Sequence, residues 1–123
     1  KGSNNERELL KMFSENGWRA VRVAGSGVNE ESPCDLIAGR KGRKFAIECK
    51  STKKNIQYIS KSQMEDFIIF SEMIGLNPLI AIKFFREGWL FINPKKMRDA
   101  GKNWAISLEQ AKSFGKRFGQ LIS

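Results

Sequence analysis

The chain has 123 residues, with 22 basic against 13 acidic side chains, a net charge of +9 and no histidine. That length fits one domain able to bury a real core, and the basic balance favours a polyanionic partner, most simply nucleic acid. The lack of histidine removes Ser-His and Cys-His nucleophile pairs, and two cysteines without a CxxC argue against a zinc site.

No apolar run reaches the about 20 residues a membrane span requires, and no basic amphipathic helix stands out for membrane-surface binding. No signal-peptide pattern opens the chain, and Lys1 is read as lying downstream of the natural start. Cys34 and Cys49 fall in apolar stretches and fit reduced core residues of a cytoplasmic protein.

Ser3-Asn4-Asn5-Glu6 has the S-x-x-E form of a capping box and opens a helix with Leu9, Leu10 and Phe13 as its apolar stripe, ending at Gly17. Glu6 continues that stripe towards the core. It is therefore either a capping residue or an acidic group presented to a site. Trp18 to Ala24 reads as a strand with Val21 and Val23 on one face. Arg22, on the other face, is an exposed arginine or a phosphate clamp. The aperiodic run from Gly25 to Pro33 is a loop, in which Ser26 is the best phosphate-binding candidate.

Two strands follow, Ser32–Gly39 and Lys44–Lys50, joined by a turn over Gly39-Arg40-Lys41-Gly42-Arg43. Side chains two apart on a strand share a face, about 6–7 Å apart. Glu48 and Lys50 therefore point one way, and Phe45, Ile47 and Cys49 the other. If the two strands pair, Asp35 lies next to Glu48, and two carboxylates and an amine converge. Such a set suits Mg²⁺, which takes one or two acidic oxygens and keeps waters for a phosphate substrate. The lysine would then orient or deprotonate an attacking water, or stabilise charge on the phosphate. A half-exposed strand carrying a cross-strand ion pair satisfies the same spacing.

Lys53, Lys54 and Lys61, with Tyr58, lie in a stretch read as a charged loop, either solvated or contacting phosphates. Ser60 caps a helix over Lys61–Ile74 that Gly75 closes, with Met64, Phe67, Ile68, Ser71 and Ile74 facing the core. Ile69, Phe70 and Met73 widen its apolar surface and, with Phe84, Phe85, Trp89 and Phe91, form a surplus for a small domain, which implies deep burial or a two-fold subunit contact. Leu79–Phe85 and Trp89–Ile92 are strands around an Arg86-Glu87-Gly88 hairpin turn. Lys95, Lys96, Arg98 and Lys102 follow in an irregular basic segment. Ser107-Leu108-Glu109-Gln110 opens a last helix. The order helix, three strands, helix, two strands, helix predicts a single α/β domain with a mixed five-stranded sheet flanked by helices.

In this order and spacing, Lys1-Gly2-Ser3-x-x-Glu6-Arg7-Glu8-Leu9, Val21-Arg22-x-Ala24-Gly25-Ser26, Asp35-Leu36-Ile37-Ala38-Gly39 and Ile47-Glu48-Cys49-Lys50 resemble the archaeal Holliday junction resolvases of the PD-(D/E)xK nuclease superfamily. The Phe67-to-Gly75 helix before an apolar strand fits as well. One departure is Cys34 directly before Asp35, with Pro33 a place further back. The resemblance implies a restriction-endonuclease-like core and a homodimeric, Mg²⁺-dependent endonuclease, with Mn²⁺ able to substitute, that cuts four-way DNA junctions. It makes Asp35 and Glu48 metal ligands, adds the Cys49 carbonyl, gives Lys50 the attacking water and sets Glu6 to assist at the metal. Arg7, Arg22 and Ser26 would hold the scissile phosphate region. The alternatives are a repair or restriction-like nuclease on ordinary duplex and a basic DNA-binding module whose strand acids are structural.

Overall fold

A computed structural model describes residues 2–24 and 32–123. Helix α1 (Gly2–Glu15) leads into β1 (Arg19–Arg22), β2 (Leu36–Arg40) and β3 (Arg43–Thr52). Then come β4 (Ile56–Ser60), α2 (Lys61–Ile74), β5 (Asn77–Phe84) and β6 (Gly88–Ile92). A 3₁₀ turn at Pro94–Lys96 precedes β7 (Arg98–Ala100), β8 (Asn103–Ser107), α3 (Leu108–Phe114) and α4 (Phe118–Ile122).

The expected mixed sheet is present, with five strands in the order β1-β2-β3-β5-β6. The β1, β2 and β3 strands form an antiparallel meander, and β5 pairs parallel to β3. Arg40 faces Arg43 across a two-residue turn. Its central residues Lys41 and Gly42 both have positive φ, 48° and 88°, as the mirror-image hairpin turn requires. The parallel β3–β5 pair needs a crossover, which β4 and α2 supply. Ser60 accepts the Gln63 N–H at the start of α2, and Gly75 closes it at φ 80°.

Each face of the sheet buries its own cluster. Leu9 and Phe13 of α1 pack with Trp18, Leu36, Ala38, Phe45, Ile47, Ala81, Trp89, Phe91 and Leu121. On the other face, Ile80, Ile82, Leu90 and Ile92 pack with Met64 and Phe67 of α2, and with Ile59, Met97 and Ile106.

The structure corrects several expectations. Ser3 lies within α1 rather than capping it, because the helix already runs from Gly2. The stretch after Lys50 is not one loop. It completes β3 and, after a turn at Lys53-Lys54-Asn55, forms β4, where Ile59 is buried. The basic segment around Arg98 is a hairpin, and β4, β8 and β7 make a second, three-stranded sheet. Ile74, at the last helical position, is exposed, and Phe84, Trp89 and Phe91, counted as surplus apolar surface, are buried.

The C-terminal end is part of the same core. Phe118 of α4 meets Phe13 edge-on at 5.1 Å. Arg43 lies 5.0 Å over the Trp18 ring and donates to the Leu121, Ile122 and Ser123 carbonyls. Removing buried volume under α1 should be costly, because that helix also carries Glu6. Leu9→Ala is expected to destabilise by about 2–5 kcal/mol, whereas Phe85→Ala, at an exposed hairpin position, should stay within about 0.5 kcal/mol. Chemical denaturation of both variants checks this.

Candidate active site

The β2–β3 register carries Asp35 to the site. Leu36 pairs with Ile47, and the Asp35 N–H donates to the Ile47 carbonyl at 2.9 Å. The Asp35 carboxylate in turn accepts the Cys49 backbone N–H at 2.7 Å. Asp35 is thus held beside Glu48 by backbone bonds on both sides. Glu48 is only 5% exposed although its strand neighbours are core residues. Its Oε2 accepts from Gln63 Nε2 at 2.7 Å and lies 3.9 Å from Lys50 Nζ, which donates to Gln63 Oε1 at 3.1 Å.

Glu6 arrives from α1 on the other side. Arg22 donates to its Oε1 through Nε at 3.2 Å and through a terminal nitrogen at 3.1 Å. The capping role for Glu6 is therefore replaced by an ion pair that turns its carboxylate over the strand ends. Together Glu6, Asp35, Glu48, Cys49 and Lys50, with Asp66, edge a polar cleft of about 590 Å³.

Burial pushes the Asp35 carboxyl up to about 6. The Glu6 charge and a hydrogen bond with Glu6 act in the same direction, opposed by the Cys49 N–H and the Lys50 ammonium. Acidic groups thus crowd one cleft of a chain whose net charge is +9. Burial also raises both thiols, Cys34 to about 11, so neither is a nucleophile at neutral pH. Cys49 contributes through its backbone.

Among the described residues no three of His, Cys, Asp and Glu gather closely enough to enclose an ion on their own. The set is instead two carboxylates on neighbouring strands, the Cys49 backbone beside them and a third acid nearby. That is the sparse, oxygen-only chemistry suited to Mg²⁺, which keeps several waters.

The remaining expected residues are dispersed. Arg7 is exposed and does not line the cleft. Lys53 and Lys54 are exposed in the β3–β4 turn, where Lys53 borders a separate cleft with Lys83 and Arg86. Ser26 lies outside the described residues. Sequence reasoning missed Gln63 and Asp66. Both sit in the first two turns of α2, on the helix that follows the acid-bearing strand, and that placement was the available signal.

An acid at a strand start beside a Glu-x-Lys strand of a mixed sheet is the layout of the PD-(D/E)xK nuclease class. Comparison with known proteins narrows the class. A sequence profile described as archaeal Holliday junction resolvase (Hjc) matches residues 1–120. The chain is 44% identical over 123 residues to the crossover junction endodeoxyribonuclease Hjc of Methanocaldococcus jannaschii, covering 99% of this chain and 86% of that protein. It is 34% identical over 134 residues to the Archaeoglobus fulgidus enzyme of the same name, covering 99% and 98%. The solved structure of Archaeoglobus fulgidus Hjc, a Holliday junction resolvase from an archaeal hyperthermophile, matches with a TM-score of 0.89 at 30% identity, covering 99% of this chain and 100% of that one. The chain belongs to the archaeal Holliday junction resolvase family.

The Asp35 shift has a consequence for stability. With a folded pKa of about 6 against an ordinary 3.8, the folded state holds the extra proton between these values. Stability from this group is complete below pH 3.8 and is lost as pH rises through 6. In chelator at pH 7.5, Asp35→Asn should melt above the wild type, and the advantage should vanish below pH 4. Thermal melts across pH read this directly.

Proposed function

We propose that this chain is a structure-selective endonuclease that resolves four-way DNA junctions by paired, symmetric nicks, as a homodimer using Mg²⁺, with Mn²⁺ able to replace it. The observation that carries this reading is the meeting of Asp35, Glu48 and Lys50 at one cleft in a chain of the resolvase family. Asp35, Glu48 and the Cys49 carbonyl would hold the ion, with Glu6 assisting. When bound, the ion neutralises charge on the scissile phosphate and makes a coordinated water more acidic.

The chain's own groups supply the rest. Asp35 and Glu48 fix two oxygens on adjacent strands. Lys50 holds its ammonium on the Glu48 face, where it orients the attacking water or donates to a phosphate oxygen. Arg22 keeps Glu6 turned inward through their ion pair, and its remaining N–H groups would serve a phosphate. Arg7, Lys53 and Lys54, with Ser26, add contacts to neighbouring phosphates, which position DNA without reading its sequence. No helix among the described residues is long and apolar enough to cross a membrane. Two unpaired thiols support a cytoplasmic setting for such a DNA-acting enzyme.

The dimer reading rests on α2. Ile69, Met73 and Ile74 are 49%, 81% and 57% exposed, with Phe70 half-buried beside them. An apolar stripe of this kind on a small domain is commonly covered by a two-fold partner. Two chains bring two sites, whose spacing and shared positive charge would select branched DNA by arm geometry.

Two measurements test the proposal. A synthetic four-way junction and a matched linear duplex are incubated with and without Mg²⁺. The junction should be nicked at symmetric positions and the duplex spared. Asp35→Asn, Glu48→Gln and Lys50→Ala should abolish cutting while retaining junction binding in metal-free gel shifts, because most affinity comes from basic residues elsewhere. Equal cutting of duplex would favour the restriction-like alternative. Binding without cutting would favour a DNA-binding module. Sedimentation should give twice the 14.0 kDa chain mass, and Met73→Glu should shift it towards monomer.

A further inference from the structure

Gln63 is the third residue of α2, its backbone N–H held by the Ser60 cap at 3.1 Å. Its side-chain amide touches both members of the Glu48/Lys50 pair. Nε2 donates to the Glu48 carboxylate at 2.7 Å, and Oε1 accepts from the Lys50 ammonium at 3.1 Å. Only this orientation works, because the flipped amide would set oxygen against carboxylate and NH₂ against ammonium. The amide dipole therefore lies along the field between the two charges.

The direct contact inside this bridge is long. Lys50 Nζ stands 3.9 Å from Glu48 Oε2, whereas an unconstrained ammonium–carboxylate contact closes to about 2.7–2.9 Å. Both side chains are withdrawn from solvent, 25% and 6% exposed, so water screens their attraction weakly. The Gln63 amide bridges the two groups from a capped helix end rather than a loop.

We propose that Gln63 is a positioning residue that keeps Lys50 from collapsing onto Glu48. This inference rests on the nuclease reading of the site. Held open, the pair stays un-neutralised: Glu48 keeps its charge facing the cleft and Lys50 keeps N–H groups for water or phosphate. Collapsed into a tight pair, the two would neutralise each other and neither would serve the reaction. A hydrophobic side chain of the same length removes the bridge without removing bulk.

The test compares wild type, Gln63→Met and Gln63→Asn, which is one methylene too short to span the pair, with Glu48→Gln as the inactive control. Single-turnover cutting of a four-way junction in Mg²⁺ should fall about 10- to 100-fold in both Gln63 variants, the loss expected when a reacting group is misplaced by about 1 Å. Metal-free junction Kd and Tm should stay close to wild type. Calorimetric titration with Mn²⁺ should show weaker binding in both variants. A crystal structure of Gln63→Met should show Lys50 Nζ drawn into direct contact with Glu48. Wild-type rates in the variants, or rate losses that track Tm while the 3.9 Å separation persists, would overturn the inference. If wild type itself fails to cut the junction, the nuclease reading falls, and the separation in Gln63→Met alone decides the role of Gln63.

Discussion

The Asp35 carboxylate accepts the Cys49 backbone N–H at 2.7 Å, and the rest of the site depends on that bond. It joins the start of one strand to the acid-bearing end of the next. Asp35 is thereby kept beside Glu48 although burial, reinforced by the Glu6 charge, opposes its ionisation. Backbone groups do not rotate away as side chains do, so the crowding is built into the sheet register. The α1 cluster under Leu9 and Phe13 then fixes the height of Glu6 above the strands, and α2 brings Gln63 in from the opposite side. Each face of the sheet contributes one arm of the site.

The charge distribution follows from the same arrangement. A chain of net charge +9 concentrates Glu6, Asp35, Glu48 and Asp66 at one cleft. A polyanion drawn to the basic surface would meet local repulsion at that cleft, which a bound cation would relieve. On the proposed reading, attraction at long range and cation-dependent approach at short range are separate properties, carried by separate residues. The Asp35 carboxyl, raised to about 6, bears the cost of this arrangement.

Legibility in the sequence tracked how local each signal was. Helix α2 was readable to the residue because Ser60 and Gly75 are local punctuation that the structure uses as such. The Asp35/Glu48/Lys50 juxtaposition was readable because strand alternation and a tight Lys41-Gly42 turn leave a single sensible register. The second sheet was not readable. Strand β4 is short, begins after a lysine-rich turn and pairs with β8 about fifty residues later, so no local pattern announces it. Buried aromatics were misjudged for a related reason: Trp89 and Phe91 are covered by α1 and by the C-terminal Phe118, which no nearby residue reveals. Glu6 showed the limit of motif matching. Its S-x-x-E spacing was real, yet Arg22, sixteen residues away, claims the carboxylate.

On the proposed reading, a divalent ion binds at the Asp35–Glu48 cleft. Paramagnetic broadening by substoichiometric Mn²⁺ in a ¹H–¹⁵N spectrum tests it without DNA. Early loss of the amide signals of Asp35, Cys49 and Lys50 is expected in the wild type, and their retention in Glu48→Gln. Broadening centred elsewhere, or unchanged in Glu48→Gln, would contradict it.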